Sequence, residues 1–344
     1  MNGSVNNAVL VADVGGTNLN LALLAAEGSG YRLLRKARYG TQAEQSLLGP
    51  IQRFLAADPS IRPMRACLSG AGPVLDRRIR LTNAPWDMDG AALERDLGIP
   101  VRLLNDFIAL SCGVLHLDLS DARQVTALPH GDGSTPAADP AGLAAVVGAG
   151  TGLGVGFLVR TSQGARAFPS EGGHIGLPVF DEETLALWRH LAAGLPGPPG
   201  AELAVSGQGL PTLLRFLVET RGLPRTGAVE AALALPAAEQ PAAISAQAAS
   251  DAACGHAMAL FVDLYARVCA ELCAVFMPTG GLFLAGGIAA KNTDRFLEGG
   301  RFMAQFERNY REHLDQLARA TPVYLVHDYD LSLYGAAHAL DCTG

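Results

Sequence analysis

Two glycine-rich turns, each set between strand-like segments, fix the plan of this chain. The first is Asp13-Val14-Gly15-Gly16-Thr17, between an apolar run at 8–12 and the alternating Leu19-Asn20-Leu21-Ala22-Leu23. Alternation of period two interrupted by paired glycines predicts a hairpin. The second is Gly148-Ala149-Gly150-Thr151-Gly152-Leu153-Gly154, between strands expected at 146–150 and 154–159. Each hairpin opens a round of strands and helices. In the first round the pattern predicts strands at 31–37, 64–69, 78–82 and 101–104, with helices at 42–57, 91–97 and 107–114. A Pro-, Gly-, Asp- and Ala-rich loop at 124–142 separates the rounds. In the second, helices are expected at 183–192, 210–220, 251–276, 294–318 and 331–340, and strands at 281–285 and 323–326. Residues 194–200 and 223–246 read as Pro/Ala/Gly-rich connections. The chain is therefore α/β, with two similar halves facing each other across a cleft.

Composition narrows the function. The chain has 344 residues, about half of them hydrophobic, enough for two cored domains. Charged residues make up 17%, which argues against disorder, and the net charge of −7 argues against a nucleic-acid partner. Met1 to Asn7 is polar with no basic and apolar segment behind it, so no signal peptide is expected and a cytoplasmic protein fits. Residues 142–159 carry no charge over 18 residues, but their glycines would each cost a helix about 1 kcal/mol. Strand, turn and strand is expected there, not a membrane span. Cys67, Cys112, Cys254, Cys269, Cys273 and Cys342 form no CxxC pair and read as buried reduced thiols.

Several short segments carry groups suited to chemistry, and each has a plainer structural reading. Gly15 and Gly16 allow close backbone approach to a phosphate, Thr17 adds a donor, and Asp13 suits Mg²⁺ held through water. A tight hairpin with an Asp-capped turn would use the same residues. Gly148 to Gly154 repeats the pairing of glycines with a threonine. Its GxGxxxG spacing is not the dinucleotide fingerprint, but two such turns can grip one polyphosphate. Asn105-Asp106 ends a strand and enters a helix. Asp106 can accept a proton from an attacking hydroxyl and Asn105 can bond a neighbouring one, or the pair can serve as an N-cap. Glu171-Gly172-Gly173-His174 offers acceptors and a donor on a flexible turn, although His174 alone reads equally as a turn histidine. Glu202 alone reads as a surface acid, and Ser206 as the cap of the next helix. Gly286-Gly287 clears space after a strand for a flat ring.

Taken in order, DVGGTN (13–18), TNAPW (82–86), NDF (105–107), GAGTGLG (148–154), EGGH (171–174), AELAVSGQGL (201–210), AGGI (285–288) and PVYLVHD (322–328) resemble the bacterial glucokinases, in the hexokinase branch of the actin-like ATPase superfamily. The resemblance implies two ribonuclease-H-like domains flanking a central cleft, often in a homodimer. It implies a small N-terminal domain, 1–110 with a returning C-terminal helix at 329–344, and a large domain at 111–328. Asp106 would be the general base for the sugar 6-hydroxyl. Asn105, Glu171, His174 and Glu202 would bind the other sugar hydroxyls. Asp13, Gly15, Gly16, Thr17, Asn18, Gly150, Thr151 and Gly152 would line the phosphates and Mg²⁺ of ATP, with Gly286 and Gly287 on the adenosine side. Three positions depart from the pattern: Asn20 stands where arginine is usual, Ser170 where glycine is usual and Gln208 where proline is usual. The related ROK kinases hold zinc through a cysteine cluster after the equivalent histidine; no cysteines follow His174 in that way, so no zinc is expected.

The implied activity is transfer of phosphate from ATP to glucose. A kinase for mannose or an N-acetylhexosamine would keep the same phosphate motifs. A non-enzymatic sugar sensor of the ROK group would need an N-terminal helix-turn-helix, for which the start of the first strand at residue 8 leaves no room. An actin-like chaperone or filament protein would have no use for Asn105, Asp106, Glu171, His174 and Glu202 together. No nucleic-acid or membrane partner is expected.

Overall fold

The computed structural model describes residues 7–28, 30–81, 84–162 and 164–342. Thr82 and Asn83 of the TNAPW segment, and most of the polar N-terminus, lie outside them. In chain order the first elements are β1 (Ala8–Val14), β2 (Asn18–Glu27), β3 (Gly30–Gly40), α1 (Leu48–Ala56), β4 (Pro63–Gly70), β5 (Val74–Leu75), β6 (Arg78–Ile79), β7 (Met88–Asp89), α2 (Gly90–Leu97), β8 (Val101–Asn105) and α3 (Asp106–Gly113). Next come β9 (Val125–Ala127), β10 (Ala144–Ala149), β11 (Leu153–Thr161), β12 (Gly164–Ser170), α4 (Glu182–Ala192) and α5 (Gly209–Glu219). They are followed by α6 (Gly227–Ala234), α7 (Gln240–Gln247), α8 (Ala252–Phe276), β13 (Leu282–Ala285) and α9 (Gly287–Lys291). The chain ends with α10 (Thr293–Leu297), α11 (Arg301–Glu307), α12 (Glu312–Arg319), β14 (Val323–Val326) and α13 (Leu331–Ala339).

The chain divides into two compact units. One comprises Met1–Asp118, Gly156–Pro169 and Asp328–Gly344; the other comprises Leu119–Val155 and Ser170–His327. The boundaries expected at 110/111 and 328/329 thus fall at 118/119 and 327/328. The strand segment 156–169 groups with the first unit because Gly156 packs on Ser111 of α3, where an added Cβ would sit 2.3 Å from the hydroxyl.

In the first unit the sheet order is β3-β2-β1-β4-β8. β1 pairs antiparallel with β2, and parallel with β4, which pairs parallel with β8. Leu10, Leu19, Leu21, Leu68, Ile51 and Phe54 fill its core. Asp89 caps α2 by accepting from the Ala92 amide, and Gly98 ends that helix in the left-handed region. The helix expected from residue 42 starts only at Leu48. A 3₁₀ turn at Thr41–Ala43 precedes it, because the Thr41 and Gln42 side chains are turned back onto Gly15 and Gly16.

The second sheet has the order β12-β11-β10-β13-β14-β9, with β10, β13 and β14 parallel and β9 antiparallel to β14. Helix α8 is buried along most of its length, and its Tyr265 hydroxyl donates to the Val147 carbonyl of β10 at 2.8 Å. Asp251 caps its start, and Met277 at φ 45° stops it just before Pro278.

Two further expectations need correction. Residues 223–246 are not a plain connection: they carry α6 and most of α7. Thr226 caps α6 by accepting from the Val229 amide, and the Gln240 side chain donates to the carbonyls of Leu233 and Leu235. Capped alanine-rich sequence makes helix even without a strong amphipathic stripe. The single helix expected at 294–318 is instead α10, α11 and α12, broken first where Gly299 and Gly300 take φ of 61° and 67° and again between Arg308 and Arg311, where the backbone turns extended. Residues 142–159 hold β10, a turn and most of β11, as expected. Among the described residues no helix is long and apolar enough to cross a membrane.

Candidate functional site

In the first unit, Asp13 is the penultimate residue of β1. Its Oδ2 accepts from the Ser332 hydroxyl of α13 at 2.8 Å. Burial pushes the Asp13 carboxyl up; the Ser332 bond and the charge of Lys36 oppose that rise. Lys36 is itself paired with Asp330. The turn that follows is tied down through its carbonyls. Thr41 Oγ1 donates to Gly15 O at 2.7 Å, Gln42 Nε2 to Gly16 O at 2.8 Å and the Thr41 amide to Thr17 O at 3.0 Å. The Gly15 amide closes the turn on Asn18 O at 2.9 Å. Thr17 is exposed at its tip. Asn18 Oδ1 accepts from Arg38 Nε at 2.9 Å, and Arg38 is the cross-strand partner of Asn20. A guanidinium therefore lies beside this turn although position 20 itself is asparagine.

The N-cap reading of Asn105-Asp106 falls on the first of the two. Asn105 is the N-cap of α3: its Oδ1 accepts from the amides of Phe107 and Ile108 at 2.9 and 3.2 Å. Its amide nitrogen donates to Gly72 O at 3.2 Å. Asp106 is the first residue of the helix, with Oδ1 2.9 Å from the Phe107 amide. Burial, and after it the charge of Asp13, lift its carboxyl to about 6, against the stabilising pull of the Phe107 amide.

In the second unit three segments meet. The turn at 150–152 is closed by the Gly150 amide on Gly152 O at 2.8 Å, and the Gly207 amide donates to Gly150 O at 2.7 Å. Glu202, in a 3₁₀ turn, accepts from the Leu153 amide at 2.8 Å. An added Cβ on Gly152 would stand 2.4 Å from Glu202 Oε2, so glycine at 152 is what lets this carboxylate settle on the turn. The 3₁₀ turn Gly172–His174 lies next to the turn holding Glu202. The amide of Ala201 donates to Ile175 O at 2.8 Å, and Gly176 bridges Gly200. Ser170 fixes its entry, donating to Val155 O and accepting from the Gly172 amide. Glu171 and His174 are both exposed, with 3.7 Å between Oε2 and Nε2. Ser206 accepts from the Gly209 amide at 3.0 Å at the start of α5, while Gln208 takes the cap position itself. Gly286, at φ 95°, caps α9, and Gly287 is that helix's first residue. Thr151 is exposed on the same turn as Gly150 and Gly152.

The first unit thus gathers Asp13, the 15–18 turn, Asn105 and Asp106. The second gathers Gly150 to Gly152, Glu171, His174 and Glu202. Sequence reasoning missed Ser332, Lys36, Arg38, Thr41 and Gln42. No local signal marks Ser332 as the partner of a residue 319 positions away. Arg38 was readable in principle, since hairpin register places it opposite Asn20.

A family model described as Glucokinase matches residues 10–343. A glucokinase of Nostoc sp. is 31% identical over 344 residues, covering 96% of this chain and 97% of its own length. The glucokinase of an Antarctic psychrotroph, solved as a crystal structure, superposes with a TM-score of 0.81 at 29% identity, covering 97% of this chain and 98% of that one. A more distant ROK family glucokinase from Streptomyces griseus, solved with glucose and AMPPNP, superposes at 0.64 with 18% identity, covering 97% and 99%. The motif set, the two glycine-turn clusters and a family match over nearly the whole length agree: this chain belongs to the glucokinase family.

Proposed function

We propose that the chain transfers the γ-phosphoryl group of ATP to the 6-hydroxyl of glucose, giving glucose 6-phosphate and ADP. The observation that carries this reading is Asp106. It is a carboxylate at a helix start, lifted to about 6 and next to a second acid, Asp13. A base with that value is mostly ionised at neutral pH yet holds a proton better than a free carboxylate, which suits it to accept one from a hydroxyl. Asp106 takes the proton as the 6-oxygen bonds to phosphorus. The remaining work is positioning and charge stabilisation.

Asn105, Glu171, His174 and Glu202 bond the other sugar hydroxyls. Gly15 to Asn18, with Gly150, Thr151 and Gly152, hold the phosphates, and Gly286 and Gly287 flank the adenosine. The acid pair fits a divalent cation: Asp13 is raised by burial and its charge raises Asp106, a cost that a nearby cation removes. Asp13 would hold Mg²⁺ through water, and Mg²⁺ bound with the nucleotide supplies neutralisation of the phosphate charge. On the same family grounds the enzyme works in the cytoplasm as a homodimer, which sedimentation at assay concentrations tests.

An ADP-release assay across glucose, mannose and N-acetylhexosamines, repeated with ADP and polyphosphate as donors, tests the substrate assignment. Glucose with ATP should give the highest kcat/KM; a stronger response to another hexose or donor would reassign it. The base makes its own prediction. Below a pH of about 6, log kcat/KM should fall with unit slope as Asp106 protonates. A profile flat down to pH 5 would exclude Asp106 as the base. Glu202→Gln should raise the KM for glucose roughly 10–100-fold, the worth of a hydrogen bond to a charged group. The KM for ATP should move far less, because an oxygen remains to accept from the Leu153 amide. Equal changes in both would place Glu202 on the nucleotide side instead.

A further inference from the structure

The chemistry proposed above leaves Cys112 and Cys342 unused, and these two cysteines, separated by 230 positions, meet with 3.9 Å between their sulfurs. Cys112 lies in the last turn of α3, and Cys342 follows the end of α13. Cys112 is buried and Cys342 is partly exposed, so an oxidant can reach the second but not the first. The segment carrying Cys342 is held in place from below. Arg102 of β8 donates to the Ala339 carbonyl at 2.6 Å and lies 3.4 Å from that of Cys342. Tyr31 and Arg65 both bond the Asp341 carboxylate, at 2.5 and 2.8 Å. These anchors come from three strands of one sheet, so the sulfur pair is a fixed feature of the fold. The other thiols differ: Cys67 is buried in β4, with its sulfur raised to about 12 by burial.

We propose that Cys112 and Cys342 form a redox-active dithiol, a modification site that hydrogen peroxide converts to a disulfide locking the C-terminal helix α13 onto α3. The first step forms a bond between the Cys342 sulfur and one peroxide oxygen and breaks the O–O bond. It leaves a sulfenic acid and a hydroxide, which takes up the thiol proton and departs as water. In the second step the Cys112 sulfur attacks that of Cys342. The S–S bond forms, the S–O bond breaks, and a second water leaves with the Cys112 proton. Two electrons pass from the thiol pair to the peroxide, and a small-molecule dithiol reverses the change. A disulfide needs the sulfurs at about 2 Å, so the gap must close by about 1.9 Å. Rotation of the two cysteine side chains about their Cα–Cβ bonds supplies that shift while the backbone stays anchored. The hydrogen bond from Cys112 and the charge of Arg102 draw Cys342 below an ordinary thiol, which favours it as the attacking sulfur.

Treating the reduced full-length protein with stoichiometric hydrogen peroxide, blocking residual thiols and mapping peptides by mass spectrometry tests the proposal. The expected product is a Cys112–Cys342 cross-linked peptide two mass units lighter than the reduced pair. It should come with a melting temperature raised by about 5 °C or more, since the bridge closes a very long loop. Dithiothreitol should reverse both. Cys342→Ser should abolish the link and the shift, while Cys67→Ala should keep them. Sulfinic or sulfonic acid on Cys342 without a link, a link to Cys67, or two free thiols after excess peroxide would each overturn the assignment.

Discussion

Replacing Asp106 by alanine is expected to lower kcat by roughly 10²–10⁴-fold, the usual worth of a positioned general base. Glucose affinity, measured by calorimetry, should stay within a few-fold, because the groups proposed to bind the sugar, Asn105, Glu171, His174 and Glu202, remain. The helix should also stay intact, since its cap is Asn105 and not Asp106. Near-normal turnover would remove the base assignment outright. The companion variant Asp106→Asn separates catalysis from stability. In the folded protein this carboxyl sits at about 6, above the ordinary 3.8. Between those values the folded state binds more protons than the unfolded one, so the stability due to the protonated group is complete below 3.8 and lost as pH rises through about 6. At pH 7 the ionised group therefore destabilises the fold, by about 1–3 kcal/mol at this partly buried site. Asp106→Asn should melt a few degrees above wild type at pH 7 while being inactive, and the gap should close toward pH 4. A variant less stable than wild type at pH 7 would mean that the charge is compensated in the folded protein.

The second large effect is expected at Gly335→Ala. Gly335 lies in α13 where that helix crosses α3, and an added Cβ would stand 1.8 Å from the Ala109 carbonyl oxygen and 2.5 Å from the Gly113 amide. Both are backbone atoms, so the helices must separate. In an isolated helix the same change would help by about 1 kcal/mol, but forced separation of two packed helices should outweigh that, for a net loss of about 2–3 kcal/mol. The displacement reaches the proposed catalytic groups at two points. α3 begins at Asp106, and α13 carries the Ser332 hydroxyl that bonds Asp13. A lower melting temperature together with a lower kcat is therefore expected. Gly227→Ala, where an added Cβ meets nothing within 4 Å, serves as the control and should be neutral or slightly stabilising. If Gly335→Ala behaved like that control, α3 and α13 would not be coupled as described.

Much of this was readable in the sequence, for identifiable reasons. Short-period signals survive folding: the hairpin at Asp13 to Thr17, the buried helix α8 between Asp251 and Pro278, and strand β14 all fall close to where alternation, caps and proline place them. The segments α6 and α7 are hard to read because alanine-rich sequence carries little amphipathic contrast, and the groups that hold the two ends of α6, Thr226 and the Gln240 side chain, look like ordinary loop polars until the backbone is seen. The break at Gly299 and Gly300 is hidden because Phe296 and Met303, on either side of it, stand seven positions apart, at helical spacing. For the candidate site, residue types and order were legible, and local motifs carried them. Tertiary partners were not: Ser332 against Asp13, Glu202 against Gly152 and the Cys112–Cys342 pair each join segments with no sequence relation.

The most direct test of the central claim is to identify the product made from glucose and ATP by NMR, observing phosphorus coupled to the sugar protons. The expected result is one phosphate, coupled to the protons on carbon 6, with one ADP formed per sugar and no ADP without sugar. Phosphate on another carbon, or ADP release that ignores glucose, would contradict the account.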